Sequence, residues 1–153
     1  MTRGQIAIIK NPYNRSEEIE VMTSIEFNGD MYMKNGHGHE VVRLLRKVHD
    51  VANYQLAVAK FNDKNHHYND CDRLTYETTG EKAKEMLDFT KDYFKNWFSD
   101  YVYIKNLTNQ FITLKAEDKN EKAIEVELEP NAIAVLCFGG LRKIYPPLDK
   151  ELK

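Results

Sequence analysis

Close to residue 100 the hydrophobic pattern changes its period, and that change limits the folds open to the chain. From Gly38 to Ala59, and again from Glu81 to Phe98, apolar residues recur mostly every three or four positions, the spacing of one face of a helix. After Ser99-Asp100 they recur every second position, the spacing of one side of a strand. A stripe of helix and a side of pleat each need a partner surface. Helices and strands grouped in separate blocks meet that need by packing together as an α+β fold. The expected architecture is an antiparallel sheet packed against two principal helices, in a single domain over residues 1–153. A chain of 153 residues with 42% apolar content is long enough to build one such core.

The individual elements follow from the same pattern. Gln5 to Lys10 is nearly continuous in apolar residues and reads as a central strand. Ile19 to Phe27 reads as a second strand, joined to the first as a hairpin through the turn Asn11-Pro12-Tyr13-Asn14. One long helix is expected from Gly38 or His39, carrying Val41, Leu44, Leu45, Val48, Ala52, Leu56 and Ala59 on its buried face. His66 to Gly80 shows no period and reads as loop. Glu81 to Phe98 reads as a second helix, with Thr79 placed to cap it. Four strands are then expected at Tyr101–Asn106, 110–115, Ala123–Leu128 and 132–138, with Gly139-Gly140 closing the last and a surface tail beyond Pro146-Pro147. Whether the first strand lies beside the later ones is left open.

Composition narrows the function classes. A formal net charge of −2 argues against a generally basic nucleic-acid binder. Cys71 and Cys137 are too few for a disulfide framework and suit a reducing cytosol, with a single disulfide between them left open. No signal peptide opens the chain and no apolar run reaches membrane-spanning length, so a soluble, cytoplasmic protein is expected.

The segment from Ile25 to Glu40 concentrates the candidate chemistry: glycines at 29, 36 and 38, His37 and His39, and the acids Glu26, Asp30 and Glu40. Glycines at a strand–helix junction permit tight turns or close backbone approach. The expected ligand-binding set is Glu26, Asn28, Asp30, Tyr32, His37 and His39. Tyr32 would anchor or stack, and the carboxylates and imidazoles would give directional hydrogen bonds. His37 and His39 with Glu26, Asp30 or Glu40 also contain metal-ligand chemistry, but no metalloprotease-type spacing is present, and a helix-capping turn with surface histidines explains the same residues. No metal and no cofactor is assigned. The helix start after Gly36-His37-Gly38 offers amides to a phosphate, with Arg3, Lys10, Lys34 or Arg43 as neutralising charges, although the segment matches no phosphate-loop order. His66 to Asp72, which includes Cys71, is a second polar cluster that a plain connection explains equally well. The aromatic run Tyr93, Phe94, Trp97, Phe98, Tyr101 and Tyr103 reads mostly as core, any exposed member being a protein-binding anchor.

Three stretches together carry a resemblance: Thr2-Arg3-Gly4-Gln5-Ile6-Ala7; Glu26-Phe27-Asn28-Gly29-Asp30-Met31-Tyr32 with Gly36-His37-Gly38; and Ser99-Asp100-Tyr101-Val102-Tyr103-Ile104. The chain resembles a family of small bacteriophage and prophage proteins. These have a Thr-Arg strand, an aromatic-Asp-Gly-Tyr-Pro turn followed by Gly-x-Gly, and a late Tyr-x-Tyr strand. Here the proline is absent and Asn28 stands where the family has an acid. The resemblance implies an accessory phage-type protein and no catalytic residue. The leading expectation is a non-enzymatic binding protein that engages a bacterial host or defence protein, or a small anionic signalling ligand. The alternative is a small metal-dependent hydrolase of a nucleotide or phosphate ester, with Asp30 and Glu26 on the metal and His37 or His39 moving a proton. A homo-oligomer with the glycine turns at its interface is a third reading.

Overall fold

A computed structural model describes residues 4–11, 18–26, 31–33, 36–65, 74–90, 97 and 100–147. The fold is α+β: among the described residues, a mixed eight-stranded sheet with three helices, in the sheet order β3-β2-β1-β4-β7-β8-β5-β6. The strands are β1 (Gly4–Lys10), β2 (Glu20–Glu26), β3 (Leu74–Thr79), β4 (Tyr101–Asn106), β5 (Ile112–Glu117), β6 (Ala123–Leu128), β7 (Ile133–Cys137) and β8 (Gly140–Tyr145). The helices are α1 (Gly38–Arg46), α2 (Val51–Asn65) and α3 (Gly80–Met86).

β1 and β2 pair antiparallel as the hairpin pattern predicts. The first strand does lie beside a later one, because β1 pairs with β4, and it does so in parallel. β5 also meets β8 in parallel, so the sheet is not purely antiparallel. β1, β4 and β7 are buried on both sides; β7 is apolar throughout, while β1 and β4 also bury Gln5, Lys105 and Asn106.

One side of the sheet packs on α1 and α2, with Ile6, Ile8, Val41, Leu45, Val58, Phe61, Tyr103 and Val135 in one cluster. The other side holds Ala7, Ile9, Val102, Ile104 and Leu136 against α3, Leu87, Phe89 and Trp97. The β5–β6 hairpin adds Ile112, Leu114, Ala116 and Leu128 to this second cluster. Asn106 ties that hairpin in place. Its Nδ2 donates to Gln110 O and Leu128 O, and its Oδ1 accepts from the amide and hydroxyl of Thr108.

Several expected boundaries are corrected. The long helix is two helices. Asp50 Oδ1 accepts the Asn53 amide at 2.7 Å and starts α2 afresh, and α2 buries Tyr54, Val58 and Phe61 while leaving Leu56 exposed. The segment read as loop contains β3, an edge strand on β2 whose Leu74, Tyr76 and Thr78 alternate with polar residues and give only a weak apolar signal. The second helix ends at Met86, where Leu87 to Phe89 pair instead with Lys115 of β5. Thr79 stands at the N-cap position of α3, yet its hydroxyl makes no capping bond. The strand expected at 110–115 runs Ile112–Glu117. The chain does not leave the sheet at Gly139-Gly140. Phe138 and Gly139, with φ of 50° and 85°, make a two-residue reversal, and β8 returns along β7.

The break between α1 and α2 depends on Lys105 of β4. This lysine is only 2% exposed. Its Nζ donates to Leu45 O at 2.8 Å, Val48 O at 2.7 Å and, more weakly, Arg46 O at 3.4 Å. A helix leaves its last carbonyls without partners, and a cation there also answers the helix dipole. Burial, and then the nearby Arg46 charge, push the ammonium down from 10.5 to about 8. The unfolded chain therefore keeps this proton to higher pH than the folded one, and the group's contribution to stability rises between about pH 8 and 10.5. Lys105→Met removes the bonds to α1 while relieving the burial of charge, so the net loss is about 1–3 kcal/mol at neutral pH. In urea unfolding the gap between wild type and variant is expected to widen from pH 7 to about pH 10. A constant or shrinking gap contradicts the assignment.

Candidate functional site

The described part of the glycine segment is docked residue by residue on the end of the sheet. The fully buried Met31 side chain lies against Gly4, where an added Cβ would come within 2.6 Å of Met31 Cγ. Met31 O accepts the hydroxyl of Tyr103. Tyr32 O accepts the Gly38 amide at 3.0 Å. The ring of Tyr32 stands edge-on to Tyr101, with centroids 5.7 Å apart, and Tyr101 lies nearly parallel to Tyr103 at 6.1 Å. A graded ledge results. Tyr103 is buried, Tyr101 half-buried and Tyr32 48% exposed.

Gly38 is explained by this packing. A Cβ there would lie 2.6 Å from both Met33 Cα and the Tyr103 hydroxyl, and 2.8 Å from Tyr32 O. Its amide is already spent on Tyr32 O, so the helix start is built for close approach of protein to protein. The anion site expected from these amides therefore lacks the Gly38 N–H.

Of the expected site residues, Tyr32, His37 and His39 have described side chains. Tyr32 joins the ledge. His37 holds the N-cap position of α1 without a side-chain capping bond, and its ring turns to Phe61 of α2 at 5.5 Å. His39 is exposed on the first turn of α1. The backbone of Glu26 ends β2, opposite Gly4. Asn28 and Asp30 lie outside the described residues, as do Thr2, Arg3, Lys34, the His66 to Asp72 cluster, Tyr93, Phe94 and Phe98. Trp97 is core as expected, stacked on Phe89 and donating to Met86 O. Among the described residues no group of three His, Cys, Asp or Glu side chains is placed to hold a metal ion. Cys137 carries a free, buried thiol.

The structure adds residues that the sequence reading left unused. β8 carries a bulge: Val135 of β7 pairs with Lys143 and Leu136 pairs with Leu141, so Arg142 is an extra residue with no partner in the ladder. Leu141 and Ile144 then face the α3 side, while Tyr145 faces the α1 side. A bulge re-aims a side chain, and here Lys143, paired with Val135, comes to the α1 side with Tyr145. Lys143 Nζ sits 4.6 Å from the centre of the Tyr145 ring, and the Arg46 guanidinium 5.4 Å from it. The charge of Arg142 is felt at Tyr101. Burial and then Cys137 push that phenol above its usual value, while Arg142 pulls the other way. Tyr103, buried deeper, is pushed further up. Both phenols therefore stay neutral hydrogen-bonding groups at physiological pH.

The ledge thus has an exposed ring on a supporting phenol that feels the charge of Arg142, while Lys143 of β8 and Arg46 of α1 gather over Tyr145. No helix among the described residues is long and apolar enough to cross a membrane. No protein-family model matches the chain, and no curated protein or solved structure matches it either.

Gly38→Ala is expected to destabilise by about 1–3 kcal/mol, because two of the three nearest atoms are backbone and cannot move aside cheaply. Chemical denaturation checks the loss, and loss of the Tyr32–Tyr101 contact in the spectrum of aromatic protons checks its place. A variant as stable as wild type contradicts the packing role.

Proposed function

We propose that this chain is a non-enzymatic binding protein whose Tyr32–Tyr101 ledge holds a small anionic ligand. The observation that carries the reading is the β8 bulge, which leaves Arg142 outside the ladder with its charge felt at Tyr101 and sets the next residue, Lys143, over the Tyr145 ring. A guanidinium gives a planar pair of donors suited to phosphate or carboxylate, and Lys143 and Arg46 add charge. Tyr32 offers a ring edge and face to an apolar or aromatic part of the same ligand. The resemblance to phage and prophage proteins suggests the setting, an accessory protein acting on a signalling molecule or a host or defence protein inside a bacterium.

The hydrolase reading is the alternative. Of its residues, Asp30 and the side chain of Glu26 lie outside the described set, and His37 packs edge-on against Phe61. Nothing in the described geometry joins an acid, a base and a nucleophile.

The reading is tested by passing a bacterial lysate over immobilised wild type, Tyr32→Ala and Arg142→Ala proteins. Retained proteins and small molecules are then identified by mass spectrometry. One anionic molecule held in stoichiometric amount by wild type, and weakened about tenfold or more in each variant, is the expected result. Equal retention by all three proteins contradicts the site. Turnover of any member of a nucleotide panel contradicts the non-enzymatic reading. Because Tyr32 and Arg142 are exposed, both variants are expected to keep the wild-type melting temperature.

A further inference from the structure

β6 is the last strand of the sheet, beyond β5. Its register with β5 runs unbroken from Ala123 opposite Glu117 to Leu128 opposite Ile112. In an antiparallel pair alternate residues turn their N–H and C=O away from the partner. β6 therefore presents a row of backbone donors and acceptors along its outer side. Among the described residues only one group comes to β6 from outside the β5 pairing: Asn106 Nδ2, which donates to Leu128 O at the strand's end.

Sheet edges are ordinarily blunted by lysine, proline, a bulge or a cover, because an open edge recruits other strands. β8 meets β5 at a single residue pair, Glu117 with Gly140, and beyond it carries two such devices, the Arg142 bulge and Lys143. β6, with the sequence Ala123-Ile124-Glu125-Val126-Glu127-Leu128, has no lysine, no proline and no register shift. Its two sides also differ. Ile124 and Val126 share the core side with their partners Ala116 and Leu114, yet they remain half-buried where those partners are fully covered. Glu125 and Glu127 stand exposed on the opposite side, Glu127 accepting the Thr113 hydroxyl.

We propose that the β6 edge accepts an extended strand of a partner protein in which apolar residues alternate with lysine or arginine. The backbone row supplies the pairing, as in other cases of strand addition. The partner's apolar residues complete the cover over Ile124 and Val126, and its cations meet Glu125 and Glu127. A second copy of this chain pairing antiparallel through the same edge would bring these acids close to their own counterparts, which disfavours that pairing. The inference stands apart from the ledge, since no β6 residue takes part in it.

The test uses a short fluorescent peptide alternating lysine with valine, the same peptide N-methylated on alternate amides in each of the two phases, and a glutamate–valine analogue. Binding is followed by anisotropy on the full chain, with amide hydrogen exchange to locate it. The lysine–valine peptide is expected to bind and to slow exchange within Ala123–Leu128. At least one N-methylated form and the glutamate analogue are expected to bind about tenfold or more weakly. Glu125→Lys/Glu127→Lys is expected to reverse the preference between the two charged peptides. Absence of binding at millimolar peptide overturns the proposal, as does binding without protection of β6 or indifference to N-methylation. Concentration-dependent self-association of wild type that protects β6 also overturns it, by assigning the edge to a second copy.

Discussion

The side of β4 that faces the helices carries Tyr101, Tyr103 and Lys105 in alternation, and the layout of that half of the molecule depends on what these three reach. Each is long and has a polar tip. Lys105 closes the end of α1, Tyr103 holds Met31 O and sits under Gly38, and Tyr101 supports Tyr32. An aliphatic residue in place of Tyr103 or Lys105 would fill space but take a donor from Met31 O or Val48 O, at a cost of about 1–3 kcal/mol each. Tyr54 of α2 makes the reciprocal contact, donating back to Ile6 O of β1. The helical layer is thus joined to the sheet by directed bonds as well as by apolar packing.

This arrangement explains why the ledge is firm. Residues 31–33 are held by the Gly4 contact, the Tyr103 bond and the Gly38 amide, so the Tyr32 ring projects from a fixed backbone. A site held in place before its ligand arrives loses less entropy on binding. The β7–β8 hairpin brings the charge. Its turn places Phe138, 66% exposed, at a φ of 50°, a left-handed conformation that costs a non-glycine residue about 1–2 kcal/mol. That tight reversal lets β8 return at once along β7, and the bulge that follows sets Arg142 and Lys143 toward Tyr101 and Tyr145.

The fold was legible wherever period and burial agreed. β1, β4, β6 and β7 were found within a residue or two because their alternation or continuous apolar run is clear. β8 was hidden by its own bulge. The extra Arg142 leaves the half-buried residues Leu141 and Ile144 three apart, so the two-residue period vanishes from the sequence. The helix break was hidden because its cause, Lys105, lies nearly 60 positions from the carbonyls it binds. Of the proposed ledge, Tyr32 was legible as a candidate from its place in the glycine segment, whereas the close approach expected at the glycines was that of a ligand, and at Gly38 it is the backbone of Tyr32 and Met33 that approaches. Arg46, Arg142 and Lys143 were not, since a helix face and a bulged strand meet around Tyr145 only in three dimensions.

The central claim is that the β4-supported ledge, rather than the start of α1, receives the anion. Side-chain and backbone NMR of the full chain during titration with inorganic pyrophosphate tests it directly. The account predicts saturable shifts at Arg142, Lys143 and the rings of Tyr32 and Tyr101. His37, His39 and the first amides of α1 are expected to stay unmoved. Shifts centred on His37 to Glu40, or none on the ledge at millimolar pyrophosphate, would contradict it.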